Sequence, residues 1–153
     1  FTNMQTQVWD ALVLDESWVE KADIVLADLP CSGLGVMGKK RDIKYKVMQE
    51  QLTELVSLQR RILEKAVKML KPDGRLLFST CTINRAENEE TFAWLVETLK
   101  MTPVSFYDAL PSCLRKETVQ TAETAKQGYL QLLPKIHDTD GFFISVLKKQ
   151  GGV

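Results

Sequence analysis

Two cysteines and one aspartate are the residues of this sequence whose types suit covalent chemistry. Cys31 lies in the run Asp28-Leu29-Pro30-Cys31-Ser32-Gly33, and Cys81 lies in Ser79-Thr80-Cys81-Thr82. A thiolate can add to an electrophilic carbon, and a second group nearby can assist proton removal or release of the adduct. A carboxylate such as that of Asp28 can stabilise charge that develops during the reaction. Either cysteine taken alone is more typical of a small buried apolar residue. The placement of both cysteines at strand ends is what favours a catalytic interpretation.

Each cysteine motif follows a short apolar run that predicts a buried parallel strand, Ile24–Ala27 before Cys31 and Leu76–Phe78 before Cys81. Between them, Met48–Leu70 has apolar residues at spacings of three and four, which predicts the crossover helix. Because ligands bind beyond the carboxyl ends of the strands in such sheets, both thiols should share one crevice. We therefore expect the two sulfurs to lie within ~10 Å of each other on one sheet edge.

The remaining pattern predicts an α/β fold in a single domain, residues 1–153. The crossover helix should end at Lys71-Pro72-Asp73-Gly74, where the glycine supplies the turn. Asn84 and Glu87 have the spacing of a helix N-cap and its reciprocal acid. Ser112–Gln127 is polar and predicts a surface excursion. Further strands are predicted at Met4–Trp9, Val104–Tyr107, Tyr129–Leu133 and Phe142–Leu147.

Composition excludes several classes of protein. Three cysteines without a CxxC pair, together with one histidine, predict neither a disulfide scaffold nor a metal site. No apolar run approaches the roughly 20 residues that span a membrane, and no signal peptide is visible, so a reducing cytoplasm is the expected location.

Net charge does not decide whether the partner is a nucleic acid, since 20 basic residues balance 20 acidic ones. Local clustering does point to one. Lys39, Lys40, Arg41 and Lys44 form a basic patch that could hold RNA phosphates. A solvated loop is the other interpretation of that patch.

Taken together, the motifs resemble the RNA 5-methylcytosine methyltransferases of the Sun family, and among them the bacterial enzymes that methylate 16S ribosomal RNA. The similarity covers nearly the whole chain in order. It rests on Asp28–Val36, Asp42-Ile43-Lys44, Leu58-Gln59, Ile62-Leu63, Lys71–Gly74, Ser79–Thr82, Glu87-Asn88-Glu89 and His137–Phe143.

The resemblance implies a Rossmann-like fold that uses S-adenosylmethionine, with strand order 3-2-1-4-5-7-6. It also implies that Cys81 is the nucleophile, that Cys31 helps to resolve the adduct, and that Asp28 lies near the methyl donor and the target base. Asp10 matches the acidic position that approaches the adenine. The residues themselves do not say which thiol attacks, because DNA cytosine methyltransferases use the cysteine of the Pro-Cys pair.

Some positions depart from the family pattern. Leu29, Gly38 and Arg41 stand where the family usually has alanine, arginine and proline. More importantly, no glycine-rich cofactor loop of the Asp-x-Cys-Ala-Ala-Pro-Gly-Gly-Lys type occurs in this sequence. We therefore expect the C-terminal part of a methyltransferase domain, with strands 3 to 7 present and strands 1 and 2 missing. Such a chain should bind S-adenosylmethionine weakly or not at all, and its exposed Ile24–Ala27 edge could mediate a dimer.

Two other hypotheses stay open. The chain could be a non-catalytic RNA-binding or assembly module that keeps the fold, which the missing cofactor loop favours. A thiol enzyme of redox or hydrolase type is the third, although His137 has no evident place beside either cysteine.

Overall fold

The computed structural model describes residues 2–38, 49–117 and 119–151. Its strands and helices, numbered in chain order, are β1 (Ala22–Asp28), α1 (Gln49–Met69), β2 (Leu70–Thr80), α2 (Glu89–Glu97), β3 (Thr102–Pro103), α3 (Ser112–Glu117), α4 (Val119–Lys126), β4 (Tyr129–Leu132), α5 (Pro134–His137) and β5 (Phe142–Lys148). Short 3₁₀ turns occupy Glu16–Trp18, Leu34–Val36 and Tyr107–Ala109. Within those ranges, no helix has the length and apolar character to cross a membrane.

The strands form one mixed sheet in the order β1-β2-β5-β3, with β4 also paired to β5. β1 runs parallel to β2, with Val25 opposite Leu76 and Asp28 opposite Ser79. β5 runs antiparallel to β2 and to both short strands. This order is the one that the resemblance implies for strands 4, 5, 7 and 6, so the expected Rossmann-like α/β fold is confirmed.

The core lies where α1 and α2 cover the sheet. α1 places Leu63 and Ala66 against the sheet beside Leu76 and Phe78, which are fully buried on β2. Phe143 of β5 packs on Phe78 with ring centroids 5.3 Å apart. Burying such side chains contributes about 1.5–3 kcal/mol each, so this layer fixes the β1–α1–β2 unit that carries both cysteine motifs.

The connection from α1 to β2 differs in detail from its prediction. The residue with left-handed backbone is Asp73, with φ 64°, and not Gly74. A side chain at Gly74 would instead place its Cβ 2.9 Å from the Lys71 carbonyl oxygen, so the glycine is required by close packing.

The predicted strand at Met4–Trp9 is wrong. These residues belong to no strand in the described sheet. The segment lies across a cavity from β1 instead, and Trp9, Val13 and Leu26 line that cavity. A strand is stable only when its backbone groups are paired, and its neighbour in the expected order, strand 2, is among those expected to be missing from this sequence.

β1 forms one end of the described sheet, as the predicted unpaired edge requires. Its side chains are less buried than the apolar run suggested: Ile24 is 58% and Leu26 75% exposed. The opposite face, with Val25 and Ala27, packs against the core.

The start of α2 also corrects a prediction. The helix begins at Glu89, and its N-cap residue is Asn88. The Asn84 side chain accepts a hydrogen bond from the Ala86 N–H at 3.0 Å, which makes a local turn. Glu87 does not cap the helix; its buried carboxylate is used elsewhere, as described below.

Two other predicted elements shift. The strand expected at Val104–Tyr107 is wrong in position, because β3 covers only Thr102–Pro103 and Tyr107 begins a 3₁₀ turn. The expected surface excursion at Ser112–Gln127 contains the helices α3 and α4. It has its own small core because Ala125 packs with Leu110 and Leu130.

Candidate active site

The two motif cysteines meet at the end of the parallel strand pair. Their sulfurs lie 3.3 Å apart, and both side chains are half-buried. The predicted proximity is therefore confirmed, at a separation that allows a direct S–H···S hydrogen bond. The third cysteine, Cys113, is exposed on α3.

Backbone hydrogen bonds hold the two cysteine loops together. The Leu29 N–H donates to the Ser79 carbonyl at 3.0 Å, which extends the parallel pairing by one residue beyond β1. Gly33 then turns the chain with φ 69°, a backbone conformation that glycine adopts without strain. The turn brings the Gly35 N–H to the Cys81 carbonyl at 3.0 Å.

A third loop closes over this contact. The Gly141 N–H donates to the Gly35 carbonyl at 2.9 Å. The approach is so close that a Cβ at Gly35 would lie 2.1 Å from the Gly141 oxygen and 2.7 Å from the Cys81 oxygen. Both glycines are thus needed for the loops to meet behind the thiols.

Behind the thiols lies a buried carboxylate, that of Glu87. Its Oε2 accepts hydrogen bonds from the Ser32 N–H at 2.9 Å and from Gln59 Nε2 at 3.1 Å. Its Oε1 accepts from Ser32 Oγ at 2.6 Å, and Thr82 Oγ1 lies 3.4 Å from the same oxygen. The carboxylate thus contacts the residue that follows each cysteine. The prediction that Glu87 caps a helix missed this role. The hydroxyl residue that follows each cysteine, Ser32 and Thr82, was the sequence feature that could have indicated it.

A second buried network anchors the Cys81 loop to β4. Asn88 Nδ2 donates to the Thr82 carbonyl at 3.0 Å and to Gln131 Oε1 at 2.7 Å. Thr80 Oγ1 donates to Asn88 Oδ1 at 2.6 Å. The residues on both sides of Cys81 are therefore held by the same amide side chain.

The Cys31 thiol is protonated at neutral pH. Burial, followed by the hydrogen bond with Cys81, raises the pKa of Cys31 from 9.0 to about 12. A thiol that keeps its proton is a poor nucleophile, but it can donate a hydrogen bond to a neighbouring sulfur.

Asp28 lies at the carboxyl end of β1 with its side chain exposed. Ser79 Oγ donates to Asp28 Oδ1 at 3.1 Å, which orients the carboxylate. Asp28, Leu29 and Pro30 line one end of a cavity of about 980 Å³ between β1, α1 and the N-terminal segment. A binding space thus adjoins the strand end that carries Cys31.

The remaining residues considered in the sequence are Asp10, the basic patch and His137. The carboxylate of Asp10 accepts from the Leu12 N–H at 2.9 Å, and its neighbours Trp9 and Ala11 line the cavity. The basic patch of Lys39, Lys40, Arg41 and Lys44 lies outside the described residues. His137 Nδ1 accepts from the Leu133 N–H at 2.9 Å, and its Nε2 lies 3.1 Å from Thr121 Oγ1.

The sheet order and the paired thiols beyond β1 and β2 define part of a Rossmann-like methyltransferase domain with two cysteines at its strand ends. Residues 1–148 match the family described as 16S rRNA methyltransferase RsmB/F. The chain belongs to this family.

Curated and solved relatives agree with that assignment. The ribosomal RNA small subunit methyltransferase F of Salmonella agona (strain SL483) is 36% identical over 143 residues, which is 92% of this chain and 28% of the relative. NSun6 from Pyrococcus horikoshii, solved with SFG, has a TM-score of 0.64 and 25% identity over 83% of this chain and 30% of that chain. A methyltransferase homolog protein from Pyrococcus horikoshii has a TM-score of 0.59 and 27% identity, covering 83% of this chain and 39% of that one. The chain thus spans less than a third of the curated relative's length.

Proposed function

We propose that this chain carries the nucleophile side of an RNA (cytosine-5) methyltransferase that acts on 16S ribosomal RNA. The observation that carries the proposal is the 3.3 Å separation of two thiols beside a strand-end carboxylate, in a chain of the RsmB/F family. Family membership supports RNA methylation, while the covalent route and the position on the base are inferred from the thiols.

The chemistry requires a nucleophile because carbon 5 of cytosine is a poor one itself. In our proposal the Cys81 thiolate adds to carbon 6, so that a C–S bond forms and carbon 5 becomes enamine-like. After methylation of carbon 5, a base such as water takes the carbon 5 proton, and the electron pair of that C–H bond restores the ring double bond as the C–S bond breaks. The Cys81 thiolate is thereby regenerated.

Cys31 is suited to the release step. Since it keeps its proton at neutral pH and lies 3.3 Å from the Cys81 sulfur, it can donate a hydrogen bond to that sulfur as negative charge returns to it. This assigns Cys81 to attack and Cys31 to release, in agreement with the roles implied by the resemblance.

Asp28 is proposed to stabilise the ring. Addition of the thiolate sends electron density to the ring nitrogen, which must take up a proton; in our proposal the Asp28 carboxylate stabilises the protonated ring nitrogen and accepts a hydrogen bond from the amino group of cytosine. The hydrogen bond from Ser79 holds Asp28 in one orientation. The base must leave its stack to enter the crevice, and we propose that Lys39, Lys40, Arg41 and Lys44 contact the adjacent phosphates.

S-adenosylmethionine would supply the methyl group when bound. The described residues fit it in part, because Asp28 lines a cavity of about 980 Å³, large enough for a cofactor. We propose that Asp28 and Asp10 contact it. The sequence does not contain the glycine-rich loop whose backbone amides hold the cofactor in this fold, so this chain by itself should bind it weakly or not at all.

Calorimetric titration of the 153-residue chain with S-adenosylmethionine tests the cofactor proposal. We expect little or no heat of binding, whereas a protein of the relatives' full length that carries this chain should bind with one site. Micromolar affinity in the 153-residue chain would show that the loop is dispensable. Absence of binding in the longer protein would favour the second candidate, a non-catalytic RNA-binding or assembly module.

The nucleophile assignment is tested in that longer protein with 16S ribosomal RNA. Cys81→Ala should abolish both methylation and the covalent RNA adduct, since no nucleophile remains. Cys31→Ala should slow release and leave a covalent complex that survives denaturing electrophoresis. Cys113→Ala, which removes an exposed thiol, is the matched control and should behave as wild type. Retained turnover in Cys81→Ala would overturn the assignment.

A further inference from the structure

The buried carboxylate of Glu87 occupies a position that the proposed reaction does not explain. Its side chain is fully buried, yet it belongs to the loop that precedes α2 and not to a strand end. Its three close donors come from the Cys31 loop and α1, and the Thr82 hydroxyl of the Cys81 loop lies 3.4 Å from it. A buried carboxylate is tolerated only when its oxygens are satisfied in this way.

We propose that Glu87 is a positioning residue that fixes the separation of the Cys31 and Cys81 thiols. The inference rests on the proposed function for its catalytic consequence, but the geometry it concerns can be measured without RNA. Because Ser32 and Thr82 directly follow the two cysteines, a single carboxylate that holds both residues also sets the distance between the two loops.

We call the hydrogen bonds that join Glu87 to Ser32, Thr82 and Gln59 the clamp. Its donors can be assigned from the number of protons available. Each hydroxyl has one proton to donate. Ser32 Oγ gives its proton to Glu87 at 2.6 Å, so in the 2.8 Å contact between Ser32 and Thr82 the donor is Thr82. The result is a directed chain from Thr82 through Ser32 to Glu87, which joins the two cysteine loops across 50 residues of sequence.

Gln59 completes the clamp from α1. Its two Nε2 protons are used by the Glu87 carboxylate at 3.1 Å and the Pro30 carbonyl at 2.9 Å. Pro30 directly precedes Cys31, so the Cys31 loop is held on both sides of the cysteine. Rotating the amide would place its oxygen against the Glu87 carboxylate and the Pro30 carbonyl, so these two acceptors together fix the orientation of Gln59.

The substitution Glu87→Gln distinguishes the charge from the shape of the side chain. An amide has one acceptor oxygen and two donor protons. Its oxygen can take the place of Oε2 and accept from the Ser32 N–H and the Gln59 amide, so its NH2 group faces the Ser32 and Thr82 hydroxyls, which must reverse their donor direction to accept from it. The short charge-assisted bond to Ser32 Oγ is then replaced by a longer neutral one, so the contact between the two loops should weaken although the side-chain volume is unchanged.

Phenylarsine oxide measures the separation directly. Its arsenic condenses with two thiols: two S–H bonds are lost, two As–S bonds form, and the arsenic-bound oxygen leaves as water without any change in oxidation state. Only a close pair of thiols can bind one arsenic atom, so retention in the presence of excess monothiol reports the Cys31–Cys81 distance. The titration is made in the 153-residue chain with Cys113→Ala as background, to remove the exposed thiol.

We expect Glu87→Gln to weaken retention of phenylarsine oxide at least ~10-fold, since small displacements of paired groups have effects of this size or larger. Glu90→Gln is the matched control, because it makes the same change at an exposed site on the same segment and should leave retention unchanged. Ser32→Ala removes the hydroxyl link between Thr82 and Glu87 but keeps the N–H donor, so it should also weaken retention. Circular dichroism establishes whether each variant is folded. If Glu87→Gln is not folded, retention of the arsenical by Ser32→Ala tests the clamp instead.

In the longer protein, Glu87→Gln should lower kcat for methylation by up to ~10²-fold while KM for RNA changes little. A purely structural role would instead reduce the amount of folded enzyme and leave kcat per folded molecule unchanged. Wild-type retention of the arsenical by folded Glu87→Gln and Ser32→Ala would overturn the clamp even if methylation is observed. Conversely, weakened retention in a protein without methyltransferase activity would support the clamp and refute the proposed function.

Discussion

At the scale of single residues, the site contains two thiols with different environments. Cys31 is shielded and keeps its proton, because burial disfavours the charged thiolate. That property makes Cys31 a hydrogen-bond donor toward the Cys81 sulfur. The division of roles that we propose for two identical side chains is consistent with this difference in protonation.

Alkylation of the thiols tests the environment of Cys31. With its pKa raised from 9.0 to about 12, the Cys31 thiolate population at pH 8 is smaller by roughly three orders of magnitude than that of an unperturbed thiol. We expect iodoacetamide to modify Cys31 far more slowly than the exposed Cys113, as read by peptide mass spectrometry. The rate at Cys31 should still be rising with pH above 9.0, as long as the protein stays folded.

The same shift has a consequence for stability. Above pH 9.0 the unfolded chain loses the Cys31 proton while the folded chain retains it, so the free energy of unfolding should fall until the pH reaches about 12. Cys31→Ala removes this linkage and should flatten the decline relative to wild type. An equal decline in both proteins would argue against the raised pKa.

At the scale of elements, the sequence predicted those features that depend on local pattern. Two apolar runs joined by an amphipathic helix are enough to place Cys31 and Cys81 at one sheet edge, because parallel strands share the direction of their carboxyl ends. Phe142–Leu147 was likewise confirmed as a strand, and it is β5 of the sheet. These elements bury their apolar faces against one another, so the pattern of apolar residues is enough to predict them.

Features that depend on distant partners could not be predicted in this way. The spacing of Asn84 and Glu87 matches a capping box, but Ser32, 55 residues away, provides a better environment for the carboxylate. The segment Met4–Trp9 has the composition of a strand, yet its pairing depends on a neighbour that local pattern cannot reveal. In both cases the deciding contact lies outside any sequence window.

The three loops that meet at Gly35 provide a prediction at this scale. Gly35→Ala would place a Cβ 2.1 Å from the Gly141 oxygen, so the backbone must shift, and we expect a loss of about 1–3 kcal/mol in the free energy of unfolding. Gly38→Ala is the control, because its Cβ would have no atom of the described residues within 4 Å and stability should change by less than ~0.5 kcal/mol. Urea denaturation measures both variants, and similar stabilities would contradict the packing argument.

At the scale of the whole molecule, the sheet is asymmetric. Its interior strands β2 and β5 are buried, whereas β1 ends the described sheet with two large apolar side chains exposed. Strand edges of this kind favour pairing with another strand unless charges or covering segments prevent it. The chain is therefore expected to associate through β1, either with more of a longer protein or with a second copy of itself.

Self-association of the 153-residue chain tests the role of this edge. Leu26 is 75% exposed on β1, so Leu26→Lys should leave the fold intact while placing a charge where a second strand would pack. We expect sedimentation velocity to show a concentration-dependent dimer for wild type and at least ~10-fold weaker association, about 1.4 kcal/mol, for Leu26→Lys. Ile136→Lys makes the same type of change at a 49% exposed residue on α5 and should not affect association. If both variants weakened the dimer equally, general surface hydrophobicity would be the cause of association. If the wild type were a monomer at every concentration, the β1 edge would be protected by the residues that lie beside it.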